Sequence, residues 1–250
     1  MNLNKWKEAV VNLKLLDDEN QKQGVGSALY IKDGAKKYLF TVKHAFIDEN
    51  TGRFFTQLSR YEKLNEYKQL TAGDKIIKDI DFNDNSYVVY EDDIPSLDLA
   101  ILSLNNPKTK EFDKNLVAAG YKPIELKEII VKEPKEGDKV TLVGYPLIPL
   151  YVEDLRNIDA SLPFCTFGFV SANHIDMKCF MADIFNFPGF SGCPAIYKDK
   201  VVGFVGGQAS TPIVDKSKQE IGEVRHSMAY IKKSSHILKL FHQFKKSEPN

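Results

Sequence analysis

Residues 187–196 read FPGFSGCPAI. A serine set between glycines and beside a proline has two readings: an ordinary turn entering a strand, or a nucleophile held where backbone N–H groups converge. Gly189 precedes Ser191 by two positions and Gly192 follows it directly, a spacing that suits the second reading. Gly/Ser turns are common, so the reading requires a base and a carboxylate elsewhere in the chain.

Both are present in suitable settings. Leu39-Phe40-Thr41-Val42-Lys43-His44-Ala45 is an apolar strand that ends in a histidine and then turns polar. A histidine at a strand end projects into a cleft while its backbone stays anchored in the sheet. Ser96-Leu97-Asp98-Leu99-Ala100-Ile101-Leu102 starts an apolar strand with a carboxylate, a group seldom buried without a partner. Taken singly, His44 reads equally as a core or surface histidine and Asp98 as a turn cap. Together they run in the order His, Asp, Ser, one of several orders in which unrelated folds assemble a nucleophile, a base and an orienting carboxylate.

The rest of the chain describes an all-β protein. Short apolar runs broken by turn residues lie at Val10–Leu16, in GVGSALYI and YLFTVKHAF, and at Tyr87–Tyr90, Leu99–Leu104 and Ile129–Val131. More follow at Lys139–Gly144, Phe167–Ser171, Lys178–Ile184, Pro194–Tyr197, Val201–Gly206 and Arg225–Ile231. So many short strands at close spacing indicate a sandwich or barrel. Helix is expected only at the ends, from Asn4 to about Val10 and from Ser235 to Phe244. Proline, charge and turn residues concentrate in 105–123, read as the link between two halves, and in 132–138.

The 250 residues suffice for one large domain or two small lobes. With 43% hydrophobic and 27% charged residues the chain is an ordinary globular one. Lys and Arg total 34 against 34 Asp and Glu, which gives no basic excess to mark a nucleic-acid partner. Charges interrupt the apolar residues of the N-terminus, unlike a signal peptide, and no run approaches the roughly 18 apolar residues of a membrane span. The three cysteines, Cys165, Cys179 and Cys193, lack paired or metal-ligand spacing. A cytoplasmic, reducing location is expected, with no metal and no cofactor.

These motifs resemble those of trypsin-like serine peptidases of the chymotrypsin fold, in the style of the bacterial high-temperature-requirement proteases. TVKH is similar to the family's T-A-x-H, SLDLAIL to D-(I/L)-A-(L/I)-L, and PGFSGCP to P-G-x-S-G-x-P. GVGSALYI, Gly144-Tyr145-Pro146, Gly168-Phe169-Val170-Ser171 and Val202–Gly207 resemble flanking segments of the family, and the likeness spans about residues 10–235. It implies two packed six-stranded antiparallel β-barrels with short terminal helices. The N-terminal barrel, about 10–115, would carry His44 and Asp98. The C-terminal barrel, about 120–235, would carry Ser191, and 235–250 would form a helix and tail, all one peptidase domain.

By the same resemblance, His44 is the general base, Asp98 orients it, Ser191 attacks a peptide carbonyl, and the N–H groups of Gly189 and Ser191 hold the oxyanion. Phe185 and Asn186 fall near the base of the specificity pocket, with Gly206, Gly207 and Gln208 along its wall. No carboxylate occupies the basal position, so cleavage after Lys or Arg is not expected, and Phe185 suggests a small or apolar side chain. Asp183 would turn inward if the strand register slipped by two. His174 and His226 read as surface residues.

The sequence also departs from the family. Phe190 stands where secreted members have the aspartate that pairs with a newly cut N-terminus, so activation by that cleavage is not expected. Competence is then intrinsic, or supplied by loop ordering, a regulatory protein or a further domain. Cys193 replaces a usual glycine and reads as a small buried side chain. The long segment 146–164 reads equally as a functional lid or partner site and as a surface excursion. Three readings stand: a serine endopeptidase acting on polypeptides, a catalytically silent peptide-binding module of the same fold, and a hydrolase of small acyl substrates.

Overall fold

The computed structural model describes residues 1–16, 23–46, 57–60, 76–77, 88–90, 97–146 and 163–248. In chain order these form α1 (Leu3–Ala9), β1 (Val10–Leu16), β2 (Gln23–Asp33), β3 (Lys36–Thr41), a 3-10 turn (Lys43–Phe46), β4 (Gln57–Arg60), β5 (Ile76–Ile77), β6 (Val88–Tyr90) and β7 (Ala100–Ser103). There follow α2 (Pro107–Ala118), β8 (Ile124–Glu125), β9 (Lys139–Gly144), β10 (Phe164–Ala172), β11 (Cys179–Asp183), β12 (Pro194–Tyr197), β13 (Lys200–Val214), β14 (Glu220–Lys233) and α3 (Ser234–Ser247).

The first lobe is an eight-stranded sheet in the order β5-β4-β1-β2-β3-β7-β6, with β8 pairing β2. The second is a closed six-stranded barrel, β10-β11-β14-β13-β12-β9. The second matches the expected six-stranded barrel, and among the described residues the first takes in β8 as well. The first gains β8, which joins in parallel at Ile31↔Ile124, so the chain returns to the first lobe before it enters the barrel at β9.

Alternation along the strands explains how the lobes fuse. Successive side chains of a strand point to opposite faces. Tyr30, Leu39, Ala100 and Leu102 fill the interior of the first lobe, whereas Leu29, Ile31, Tyr38, Phe40 and Ile101 face the second. There they meet Val143, Ile196, Val201 and Phe204, and Phe40 lies 6.4 Å from Phe204 between ring centroids. Strands buried on both faces read as unbroken apolar runs, which is the pattern of YLFTV and LAIL. A third cluster, including Val140, Leu142, Phe180, Val205 and Ile231, fills the barrel.

Both terminal helices strap this seam. Trp6 of α1 is fully buried, and its indole N–H donates to Asp199 Oδ1 at 2.8 Å. Asp199 is in the β12–β13 hairpin turn, where Lys198 and Asp199 have φ of 48° and 61°, as a two-residue type I′ turn requires. Glu128 accepts from Lys5 at 3.1 Å and Lys200 at 2.9 Å, linking α1 to the barrel. Phe241 of α3 packs 4.9 Å from Tyr38 and 5.3 Å from Phe40, and past the helix end Glu248 accepts from Lys36 at 3.0 Å and the Tyr38 hydroxyl at 3.1 Å.

Two expectations fail here for physical reasons. The segment read as a linker contains α2. Asn106 caps it by accepting from Lys108 N–H at 3.0 Å, and Pro107 takes the first helical position, where no N–H is needed. Phe112 and Leu116, four apart, enter the first-lobe core. Gly120, at φ 85°, ends the helix, with Gly120 N–H to Val117 O and Tyr121 N–H to Leu116 O both at 3.0 Å. The proline and glycine that suggested a linker are its start and stop signals. Likewise, Ile129 makes only an isolated bridge to Val201 rather than a strand. Conversely, β13 and β14 run far beyond their apolar stretches, as an exposed ribbon that turns at 215–219.

The Glu128 clasp gives a pH-dependent prediction. The hydrogen bond from Lys200, aided by Lys5, holds its carboxyl below the ordinary glutamate range. A lowered carboxyl stabilises the fold fully above its unfolded pKa and loses that contribution as pH falls through the folded value. Glu128→Gln is expected to cost about 1 kcal/mol in urea denaturation at pH 7. The difference from wild type should shrink steadily below about pH 4; a difference that persists unchanged at pH 3 refutes the clasp.

Candidate active site

β3 delivers His44 to the edge of the seam. Val42 and Ala45 are held in the shared core and Phe46 in the first-lobe core, so the 3-10 turn is fixed on three sides and leaves His44 projecting, its side chain 34% exposed. Asp98 is presented in the same manner between buried Leu97 and Leu99. Its backbone has φ 59°, a left-handed conformation that aspartate tolerates better than most residues. Asp98 Oδ1 accepts the His44 backbone N–H at 2.8 Å, Oδ2 lies 2.6 Å from His44 Nδ1, and the Asp98 carbonyl accepts Lys43 N–H at 3.3 Å.

A carboxylate accepts only, so this contact assigns the proton of the neutral imidazole to Nδ1. Nε2 is then an acceptor, and it lies 2.8 Å from Ser191 Oγ. Residues 44, 98 and 191, contributed by both lobes, thus form one hydrogen-bonded line.

The serine loop is built from its own sequence. Phe190 N–H donates to Phe187 O at 3.0 Å across Phe-Pro-Gly-Phe, with Gly189 at φ 90°. Proline second and a positive-φ glycine third are the requirements of a type II turn. Phe190 is fully buried and meets the Phe187 ring edge-on at 5.9 Å between centroids. Gly144 leaves it room, since a Cβ there would lie 2.8 Å from the Phe190 ring. Gly192 N–H to Val205 O at 2.8 Å and Val205 N–H to Cys193 O at 2.9 Å stitch the loop to β13. Among the described residues, nothing accepts the N–H of Gly189 or Ser191.

Cys193 is fully buried, and burial pushes its thiol well above the ordinary cysteine range, so it is no thiolate nucleophile. Cys165, Cys179 and Cys193 are all free. Among the described residues no three His, Cys, Asp or Glu side chains gather to hold a metal.

The expected pocket residues separate. Phe185 is 42% exposed, with its ring 4.7 Å from that of Phe187. Apolar surface already covered by a neighbouring ring need not enter a cleft. Asn186 is 5% exposed, and its Oδ1 has no hydrogen-bond partner among the described residues. Gly206, Gly207 and Gln208 lie where β13 leaves the barrel for the ribbon. Gln208 donates to His226 O, while its own Oε1 is buried without a partner among the described residues.

Asp183 is exposed and accepts from the Ser227 hydroxyl at 3.0 Å, so the inward register is not adopted. His174 pairs with Asp176 at 3.4 Å and His226 contacts Thr211 Oγ1 at 2.6 Å, both on the surface. Of the long segment 146–164, residues 147–162 lie outside the described residues. The sequence reading missed Ser27, whose hydrogen bonds span the lobes, and Thr41, which donates to the Ser27 carbonyl; the adjoining Gly26 and Gly192 were the available signal.

No family model matches the chain, and no curated protein does. Solved structures do. The Rv3671c protease of M. tuberculosis in its active form matches with TM-score 0.54 at 17% identity, over 97% of this chain and 83% of that one. A serine endoprotease from Yersinia pestis matches with TM-score 0.55 at 17% identity, over 97% of this chain and 64% of that one. The thermostable serine protease AL20 from an extremophilic microorganism matches with TM-score 0.55 at 13% identity, over 96% and 99%. The chain therefore has the two-lobed chymotrypsin-like fold found in these serine proteases.

Proposed function

We propose that this protein is a serine endopeptidase. The observation that carries the reading is the unbroken line from Asp98 Oδ2 through His44 to Ser191 Oγ, at 2.6 and 2.8 Å. Ser191 Oγ attacks the peptide carbonyl carbon and passes its proton to His44 Nε2. Asp98 stabilises the resulting imidazolium and keeps the ring in its tautomer. The N–H groups of Gly189 and Ser191 take the negative oxygen of the tetrahedral intermediate. Collapse expels the amine, which leaves with the proton from His44, and water then repeats the sequence on the acyl-enzyme.

Phe190 removes the salt bridge on which activation by N-terminal cleavage depends, and the type II turn supports intrinsic competence. The three free cysteines favour a reducing, cytoplasmic setting. No described helix is long and apolar enough to cross a membrane. A silent peptide-binding module is the weaker reading, because such a module has no need of an aspartate, histidine and serine in hydrogen-bond contact.

A fluorophosphonate probe tests the nucleophile. Labelling of the wild type and none of Ser191→Ala is expected, whereas an unlabelled wild type favours the silent module. Asp98→Asn should lower kcat by about 10⁴-fold through loss of the correct tautomer. A peptide library should yield cleavage after uncharged residues, since the positions read as the pocket base carry Phe185 and Asn186 rather than a carboxylate. Dominant cleavage after Lys or Arg defeats that pocket assignment.

A further inference from the structure

Ser27 lies on β2 of the first lobe and is fully buried, yet it spends its polar groups on the second lobe's reactive loop. Its hydroxyl donates to Gly189 O at 2.8 Å and accepts Tyr145 N–H at 3.0 Å. Its N–H donates to Ser191 O at 2.8 Å, and its carbonyl accepts the Thr41 hydroxyl at 2.8 Å. The backbones approach this closely because Gly192 lacks a Cβ, which would lie 2.2 Å from Ser27 O and 2.0 Å from Thr41 Oγ1.

The consequence follows from peptide planes. Gly189 O belongs to the plane joining residues 189 and 190, and Ser191 O to the plane joining 191 and 192. Ser27 pins both. The plane between them carries the N–H of Ser191, so that donor is bracketed on each side. The N–H of Gly189 is fixed between the same pinned carbonyl and the rigid ring of Pro188. A peptide plane cannot rotate without its neighbours compensating, and both neighbours are tied to a strand of the other lobe.

We propose that Ser27 is a positioning residue of the peptidase centre, which sets from the first lobe the direction of the two N–H groups assigned to the oxyanion. The proposal rests on the endopeptidase reading. Ser27 acts only through the backbone of 189–191 and does not reach the substrate. It supplies the polar restraint that an apolar Phe190 cannot.

The test has a kinetic arm and an arm independent of activity. Ser27→Ala removes only the hydroxyl, leaving Gly189 O and Tyr145 N–H without it. On a peptide substrate its kcat and its rate of fluorophosphonate labelling should fall by about 10- to 100-fold. KM should stay within about twofold, because Gly206–Gln208 are untouched. The pH midpoint of kcat/KM should not move, because the His44–Asp98 contacts are intact.

In the second arm, amide exchange at Phe190, Gly192 and Cys193 should accelerate in Ser27→Ala while that of β9 stays unchanged. Thr41→Val, which keeps shape and removes the donor to Ser27 O, should shift both readouts in the same direction by about 3- to 10-fold, and carries the test if Ser27→Ala does not fold. A folded variant with kcat within twofold of wild type, a loss confined to KM, or unchanged exchange at 190–193 overturns the proposal. A wild type that does not label defeats the endopeptidase reading instead, and the exchange arm still decides whether Ser27 holds the loop.

Discussion

The contact between Phe40 and Phe204, capped by Phe241, closes the seam on which everything else hangs. His44 and Ser191 are 147 residues apart in sequence and come from different sheets, so no local preference can set the 2.8 Å between them. That distance is a product of packing. Close-packed interiors transmit displacement rather than absorb it, and a core shared by two lobes denies each an independent rotation. The histidine and aspartate segments start from residues already locked in this core, Val42 and Ala45 on one side and Leu97 and Leu99 on the other. The side chains of His44 and Asp98 are the ones left over at its rim.

Local conformational preference yields at the same rim. Among the described residues, the other non-glycine positions with positive φ, Lys198, Asp199 and Lys218, lie in hairpin turns, and Asp98 alone lies against His44. A left-handed residue costs on the order of 1 kcal/mol. Here two backbone N–H bonds from 43–44 and the imidazole contact offset that cost. Strain held at a site by surrounding structure is characteristic of function rather than of stability.

How much was legible in the sequence follows from the range of each interaction. The strands Val10–Leu16, Lys139–Gly144 and Pro194–Tyr197 were readable to the residue because their apolar runs end at turn residues. The segments carrying His44, Asp98 and Ser191 were legible because each needs a particular neighbourhood of a few residues. α2 was not, because Pro107 and Gly120 break a helix in its interior but define one at its ends. The ribbon was hidden because its outer half has no core to impose alternation. The setting of Phe185 was not legible, because its contact is with a neighbouring ring, Phe187. The contacts of Ser27 were beyond reach, since they depend on a loop 162 residues away.

Phe190 and Ser27 together describe how such a loop is held without a charge. An aspartate at 190 would need a buried cation, and an unpaired buried charge costs several kcal/mol. Phenylalanine inverts the requirement: its ring belongs to the barrel core and fixes the inner side of the loop by packing. Packing is indifferent to the direction of an N–H, so it cannot by itself aim a hydrogen-bond donor. Direction comes from hydrogen bonds, and those to Gly189 O and Ser191 O both originate in one residue of the opposite lobe. The direction of the loop's peptide planes is therefore a product of the docking of the two lobes rather than of the loop's own sequence.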